Sequence, residues 1–123
     1  MTTTKQKGNY GEDIAIKHLT EEGFVELARN WRLGKHEVDI IAYREGLLVF
    51  VEVKTRTSTD FGTPEEAVDI NKRRAYVRMA NAYVLQEHRE EEVRFDIIAV
   101  NITSTGYTVN HIENAFDAIG LYL

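Results

Sequence analysis

Residues 36–54 read HEVDIIAYREGLLVFVEVK. Two strands are written there. His36 to Tyr43 alternates, and Leu47 to Lys54 is apolar and β-branched, as a central strand is. Arg44-Glu45-Gly46 between them is a turn signal, with Gly46 suited to positive φ. Each strand carries acid where acid is costly. With a side-chain period of two, Glu37 and Asp39 share one face while Val38, Ile40 and Ala42 take the other. On the next strand Glu52 and Lys54 share a face, and Val51 and Val53 take the opposite one. Carboxylates inside such strands are normally paired, hydrogen-bonded or bound to metal. An even loop brings the two charged sets to one face and an odd loop parts them. A four-residue loop, Tyr43 to Gly46, sets Glu37 opposite Glu52 and Asp39 on the diagonal, a span of about 7–8 Å.

The flanking segments complete an order of elements. Upstream, a helical pattern runs from about Asn9 to Glu22 and stops at Gly23, with residues 1–7 expected as a flexible tail. Ile14, Ala15, His18 and Leu19 form its apolar stripe, with Gly11 beneath and Glu12 at its edge. His18 reads as a satisfied core histidine in preference to a ligand. Phe24 to Leu33 reads as a strand. Downstream, Thr55 to Gly62 is a polar loop. Thr63 as N-cap, Pro64 at the first helical position and Glu66 closing a capping box then open a helix to about Glu87. Its stripe is Ala67, Ile70, Arg74, Val77, Ala80, Tyr83 and Val84, and the Tyr76–Tyr83 spacing reads as core packing. Val93 to Ile102 and Gly106 to Ile112 are the last strands. The order is α-β-β-β-α-β-β, and the helix between the third and fourth strands allows those two to pair in parallel.

Acids converging without a metal repel one another and raise their own pKa values. A hard dication relieves this. Magnesium, or manganese in its place, takes oxygen ligands at about 2.0–2.1 Å and keeps several waters. Such an ion supplies the nucleophile and stabilises charge growing on a phosphate. Lys54 would orient the attacking water, help deprotonate it, or face that charge. The bland alternative is a Glu/Lys ladder on an exposed sheet face, worth tenths of a kcal/mol per pair, on the order of 0.2–1.

The rest of the composition sets bounds. The 123 residues suit one domain, 1–123. With no cysteine, disulfides, thiolate zinc sites and a cysteine nucleophile are excluded. The longest apolar run, Leu47 to Val51, is too short to span a bilayer, and no secretory signal is legible. A soluble cytoplasmic protein is the expectation. A net charge of −5 argues against a protein that coats nucleic acid regardless of sequence, but not against an enzyme with a carboxylate metal site. Basic residues gather at Arg29, Arg32 and Lys35, at Lys54 and Arg56, and at Lys72, Arg73, Arg74 and Arg78. Arg32, Lys35 and Arg56 are candidates for phosphate contacts, Arg56 foremost because it follows the acidic strand directly. His36 and Glu37 stand close enough for a phosphate contact and an outer acid. Solvated faces remain the competing reading of these charges.

Gly11-Glu12, Glu37-Val38-Asp39-Ile40-Ile41-Ala42 and Phe50-Val51-Glu52-Val53-Lys54-Thr55-Arg56 together resemble the bacterial YraN-like family, an uncharacterised family of the PD-(D/E)XK nuclease superfamily. The resemblance extends to Arg29-Asn30, Phe61-Gly62, Lys72, Arg94-Phe95-Asp96 and Asn114-Ala115-Phe116, nearly the whole chain. It implies a restriction-endonuclease-like α-β-β-β-α-β core, a mixed central sheet flanked by helices. It implies Asp39 as the metal-binding aspartate, Glu52 and Lys54 as the second acid and the lysine, and the Val53 carbonyl as a further ligand. Glu12 matches the first-helix glutamate of the similar archaeal Holliday-junction resolvases, and Lys72 is drawn toward the site on this ground alone. The signature's proline is absent; Val38 stands there. The function implied is metal-dependent endonucleolytic hydrolysis of DNA, of branched or damaged form. The alternatives are a module of the same fold that binds nucleic acid without cutting, and an assembly domain. A homodimer would serve the cutting of two strands, though no motif marks an interface.

Overall fold

The computed structural model describes residues 4–57 and 62–118. The elements are α1 (Thr4–Glu21), β1 (Val25–Leu33), β2 (His36–Arg44), β3 (Leu47–Thr57), a 3-10 turn (Glu65–Ala67), α2 (Ile70–Gln86), β4 (Glu92–Thr103) and β5 (Gly106–Phe116). The expected order holds, and the fold is α/β. The strands form one five-stranded sheet in the order β1-β2-β3-β4-β5. β3 and β4 are parallel and the other neighbours antiparallel. The mixed sheet follows from the crossover through α2, which returns the chain to the same end of the sheet.

Alternation along the central strands makes two cores. Ile41, Leu48, Phe50, Phe95 and Ile97 pack with Ala75, Tyr76, Met79, Ala80 and Tyr83 of α2. Ile40, Ala42, Val49, Val51, Ile98 and Val100 pack with Ile14, Ala15 and Leu19 of α1. Each strand thus supplies both layers. Gly11 lets α1 lie close on β3, because a Cβ there would stand 1.8 Å from Thr55 Oγ1.

Four local expectations are corrected. α1 begins at Thr4, ahead of Asn9, and takes in residues 4–7 of the expected tail; no breaker stands before Gly8, and Gly8 does not stop the helix. The β2–β3 loop has two residues, not four: Glu45 (φ 46°) and Gly46 (φ 80°), flanked by the pair Arg44 and Leu47. Two left-handed residues match the twist of a tight hairpin. The expected long second helix is split. Thr63 and Glu66 do exchange the capping-box hydrogen bonds, but these close the 3-10 turn. Val68 is extended, and Asp69 caps α2 afresh by accepting from the Lys72 N–H at 2.9 Å. The buried stripe of α2 therefore runs through Ala75, Tyr76, Val77, Met79, Ala80 and Tyr83, while Ala67 and Ile70 are exposed. Phe61 lies outside the described residues.

The fourth correction decides the site. Val38 packs with the α2 core and Ile40 with the α1 core, so the two do not share a face as simple alternation requires. The alternation breaks at Asp39.

Candidate active site

The two-residue turn keeps the even parity but slides the register. The ladder runs from Arg44 and Leu47 to Ile40 and Val51, and one further step would set Asp39, not Glu37, across from Glu52. Pairing ends there and the strands part. Two bonds replace the lost ladder. Val53 N–H donates to Asp39 Oδ2 at 2.8 Å. The Tyr76 hydroxyl, from α2, accepts from Asp39 N–H and donates to the Val51 carbonyl, each at 3.4 Å. Tyr76 is wholly buried. Burial first, then the charges of Glu52 and Asp39, hold its phenol well above the usual tyrosine range, so it stays neutral.

Glu52 is 3% exposed on a central strand. Its Oε2 lies 2.6 Å from Lys72 Nζ, yet has no donor in hydrogen-bonding alignment. The contact is an ion pair held by charge. Asp39 faces the same glutamate. Burial, then the approach and charge of Glu52, push the Asp39 carboxyl up to about 9, against the pull of the Val53 N–H. The Asp39 carboxyl therefore keeps its proton at neutral pH.

Glu12 arrives from α1, half-buried as its place on the helix edge requires. It meets Asn30 of β1, whose amide donates to Glu12 Oε1 and Oε2 at 3.2 and 3.3 Å and to Glu37 Oε1 at 2.7 Å. Asn30 sits at φ 54°, a left-handed residue inside a strand, and is skipped in the β1–β2 register opposite Asp39. Arg29 Nε also donates to Glu12, at 3.3 Å. Among the described residues, Glu12, Glu37 and Asp39 each offer an oxygen within 4.8 Å of the others'.

Two clefts open on this junction. One, of about 490 Å³, is lined by Lys35, His36, Glu37, Asp39, Glu52, Asn71, Lys72 and Tyr76, with Ala75 and Met79. The other, of about 380 Å³, is lined by Gly8, Glu12, Asp39, Glu52, Val53, Lys54, Thr55 and Lys72. Asp39, Glu52 and Lys72 form their common wall. Glu12, Asp39, Glu52, Val53, Lys54, Lys35 and Lys72 are thus brought together around one junction. The two arginines expected at phosphate both have partners within the chain. Arg32 pairs with Glu37 at 2.7 Å, and Arg56 donates to the carbonyls of Gly62 and Thr63.

Sequence reasoning assigns no role to Asn30 or to the Tyr76 hydroxyl. It also passes over a second buried acid. Asp96 accepts from Arg94 Nε and Nη2 at 2.9 and 2.8 Å and from Asn114 N–H at 3.0 Å, and shares a 2.7 Å hydrogen bond with His111 Nε2. His111 Nδ1 in turn lies 3.0 Å from His18 Nε2, so His18 is satisfied. An acid inside Phe95-Asp96-Ile97-Ile98 is the same signal that singles out Asp39.

The sheet order, the two helices and the acids at the parted strands define an α/β protein with a restriction-endonuclease-like core. The family described as "Uncharacterised protein family UPF0102" matches residues 11–100. A UPF0102 protein of Flavobacterium psychrophilum is 43% identical over 109 residues, covering 89% of this chain and 92% of that one. One of Bacteroides thetaiotaomicron is 44% identical over 116 residues, covering 94% and 96%. The chain belongs to the UPF0102 family, the YraN-like family that its motifs resemble. A solved structure, Pyrococcus furiosus SfsA in complex with Ca2+, is similar at a TM-score of 0.41 and 17% identity, over 92% of this chain and 64% of that one.

Proposed function

We propose that the chain is a metal-dependent endonuclease that hydrolyses phosphodiester bonds in DNA, of branched or damaged form. One observation carries the reading: β2 and β3 part where Asp39 and Glu52 meet, leaving a half-buried and a buried carboxyl group face to face on one junction. Such a pair fits a hard dication. The donors are all oxygen, Glu52 Oε2 is buried without an aligned donor, and ionising both acids at once is costly.

Asp39, Glu52, the Val53 carbonyl and Glu12 would hold magnesium or manganese. When bound, the ion activates water and takes up charge on the phosphate. The chain supplies the rest. Lys54, in the same cleft as Glu12 and Asp39, would orient the attacking water or face the phosphate. Lys35 and His36 line the outer cleft as further phosphate contacts. Asn30 holds Glu12 beside Glu37, and the neutral Tyr76 hydroxyl fixes the Asp39 backbone.

The test is the full chain with magnesium or manganese and a panel of linear, nicked, flapped and four-way DNAs. Cleavage of at least one substrate, abolished by chelator, is expected. No cleavage on any, with no heat of metal binding, would remove the proposal.

A further inference from the structure

Glu52 is a fixed anion and Lys72 a movable cation. Glu52 sits on β3 against β4, its side chain 4% exposed, while that of Lys72 is 41% exposed. Lys72 reaches down from the first turn of α2, whose start Asp69 fixes. Its ammonium faces Glu52 Oε2 at 2.6 Å.

A dication held by Glu52 would draw on the same carboxylate that the ammonium faces. Two cations on one carboxylate in a half-dry site repel strongly. Both cannot stay. Glu52 is locked in the sheet, whereas the Lys72 stem is flexible and already half in water. Both clefts open beside it.

We propose that Lys72 is an exchangeable counterion of Glu52, neutralising the carboxylate until a divalent cation takes its place and then turning to the phosphate entering the cleft. This rests on the metal site of the proposed function. It makes metal affinity the outcome of a competition, weakened by the fraction of molecules in which Lys72 holds Glu52.

The experiment titrates Mn2+ calorimetrically, at low salt, into the full chain as wild type, Lys72→Met and Lys72→Arg. Lys72→Met keeps the apolar stem without charge, and should bind Mn2+ about tenfold tighter than wild type, with Lys72→Arg close to wild type. In parallel, wild type is acetylated with an N-hydroxysuccinimide ester with and without Mn2+. Modification of Lys72 should rise severalfold with the metal, while Lys17 on α1 stays constant. Unchanged or weaker binding by a folded Lys72→Met, or Lys72 labelling indifferent to Mn2+, overturns the counterion role alone. Failure of wild type and Lys72→Met alike to bind Mn2+ overturns both that role and the metal site beneath it. Labelling is read on wild type, so it decides between these outcomes even where a variant folds poorly.

Discussion

Two acids on the strands that flank β3, Asp96 and Asp39, meet opposite fates. Asp96 stands beside Val51 in the β3–β4 register, one step from Glu52. It is fully buried, and burial alone would raise its pKa. Hydrogen bonds from His111, Arg94 and the Asn114 N–H, with the charge of Arg94, outweigh burial and hold it below the usual range. Asp39, less buried, is pushed far the other way because its nearest partner is another acid. Burial therefore does not separate the two acids. Completeness does: the surroundings of Asp96 close around its charge, and those of Asp39 and Glu52 leave a deficit of positive charge that Lys72 fills only from the edge.

The contrast can be broken or sharpened by substitution. The largest effect is expected at Glu52. Glu52→Ala should cost cleavage about a thousandfold or more while circular dichroism stays native, because in the proposed site the lost group acts in the reaction and not in the fold. An active Glu52→Ala would erase the distinction.

Asp96→Ala should do the reverse. It strands Arg94 and His111, so urea unfolding should show a loss of about 3–5 kcal/mol, with Mn2+ affinity retained by the folded fraction. The pH dependence has a definite sign. The folded pKa of Asp96 lies below its unfolded value, so its stabilisation is complete above about pH 4 and disappears as pH falls through the lower folded value. The acid limb of the stability curve should flatten in Asp96→Ala. An unchanged limb would mean that Asp96 does not carry it.

The smallest effect is expected at Asp39. A raised folded pKa means that the ionised carboxyl opposes folding above the unfolded value, and that this cost fades below it. Without metal, Asp39→Asn should leave the unfolding free energy at neutral pH, read by urea titration, equal to wild type or higher by about 1 kcal/mol or less, since an amide oxygen can still accept from Val53 N–H. A drop like that of Asp96→Ala would place Asp39 among the structural acids.

Much of this site is legible in residues 36–54, because a strand's period of two exposes an acid among valines and isoleucines. The parity of the hairpin is readable too, but its length is not: Arg44 serves equally as strand or turn, and only Glu45 and Gly46 leave the ladder. The break at Asp39 is hidden because Tyr76, distant in sequence, stabilises it. Asn30 is hidden for a related reason, since nothing in Arg29-Asn30-Trp31 announces a left-handed residue inside a strand. The start of α2 misleads because Thr63-Pro64-Glu65-Glu66 is a sound capping sequence that closes a shorter turn, and Asp69 offers a second cap six residues on.

The parallel pairing of β3 with β4 also sets an order in time. Glu12, Asp39, Glu52 and Lys54 all lie in the first half of the chain, whereas the strand that seats β3 on its other side spans Glu92–Thr103. Contacts so distant in sequence close late and slowly. During synthesis on the ribosome, a nascent chain would carry every acid of the candidate site well before it had the sheet that aims them, so the site takes its final shape only once the last strands have emerged.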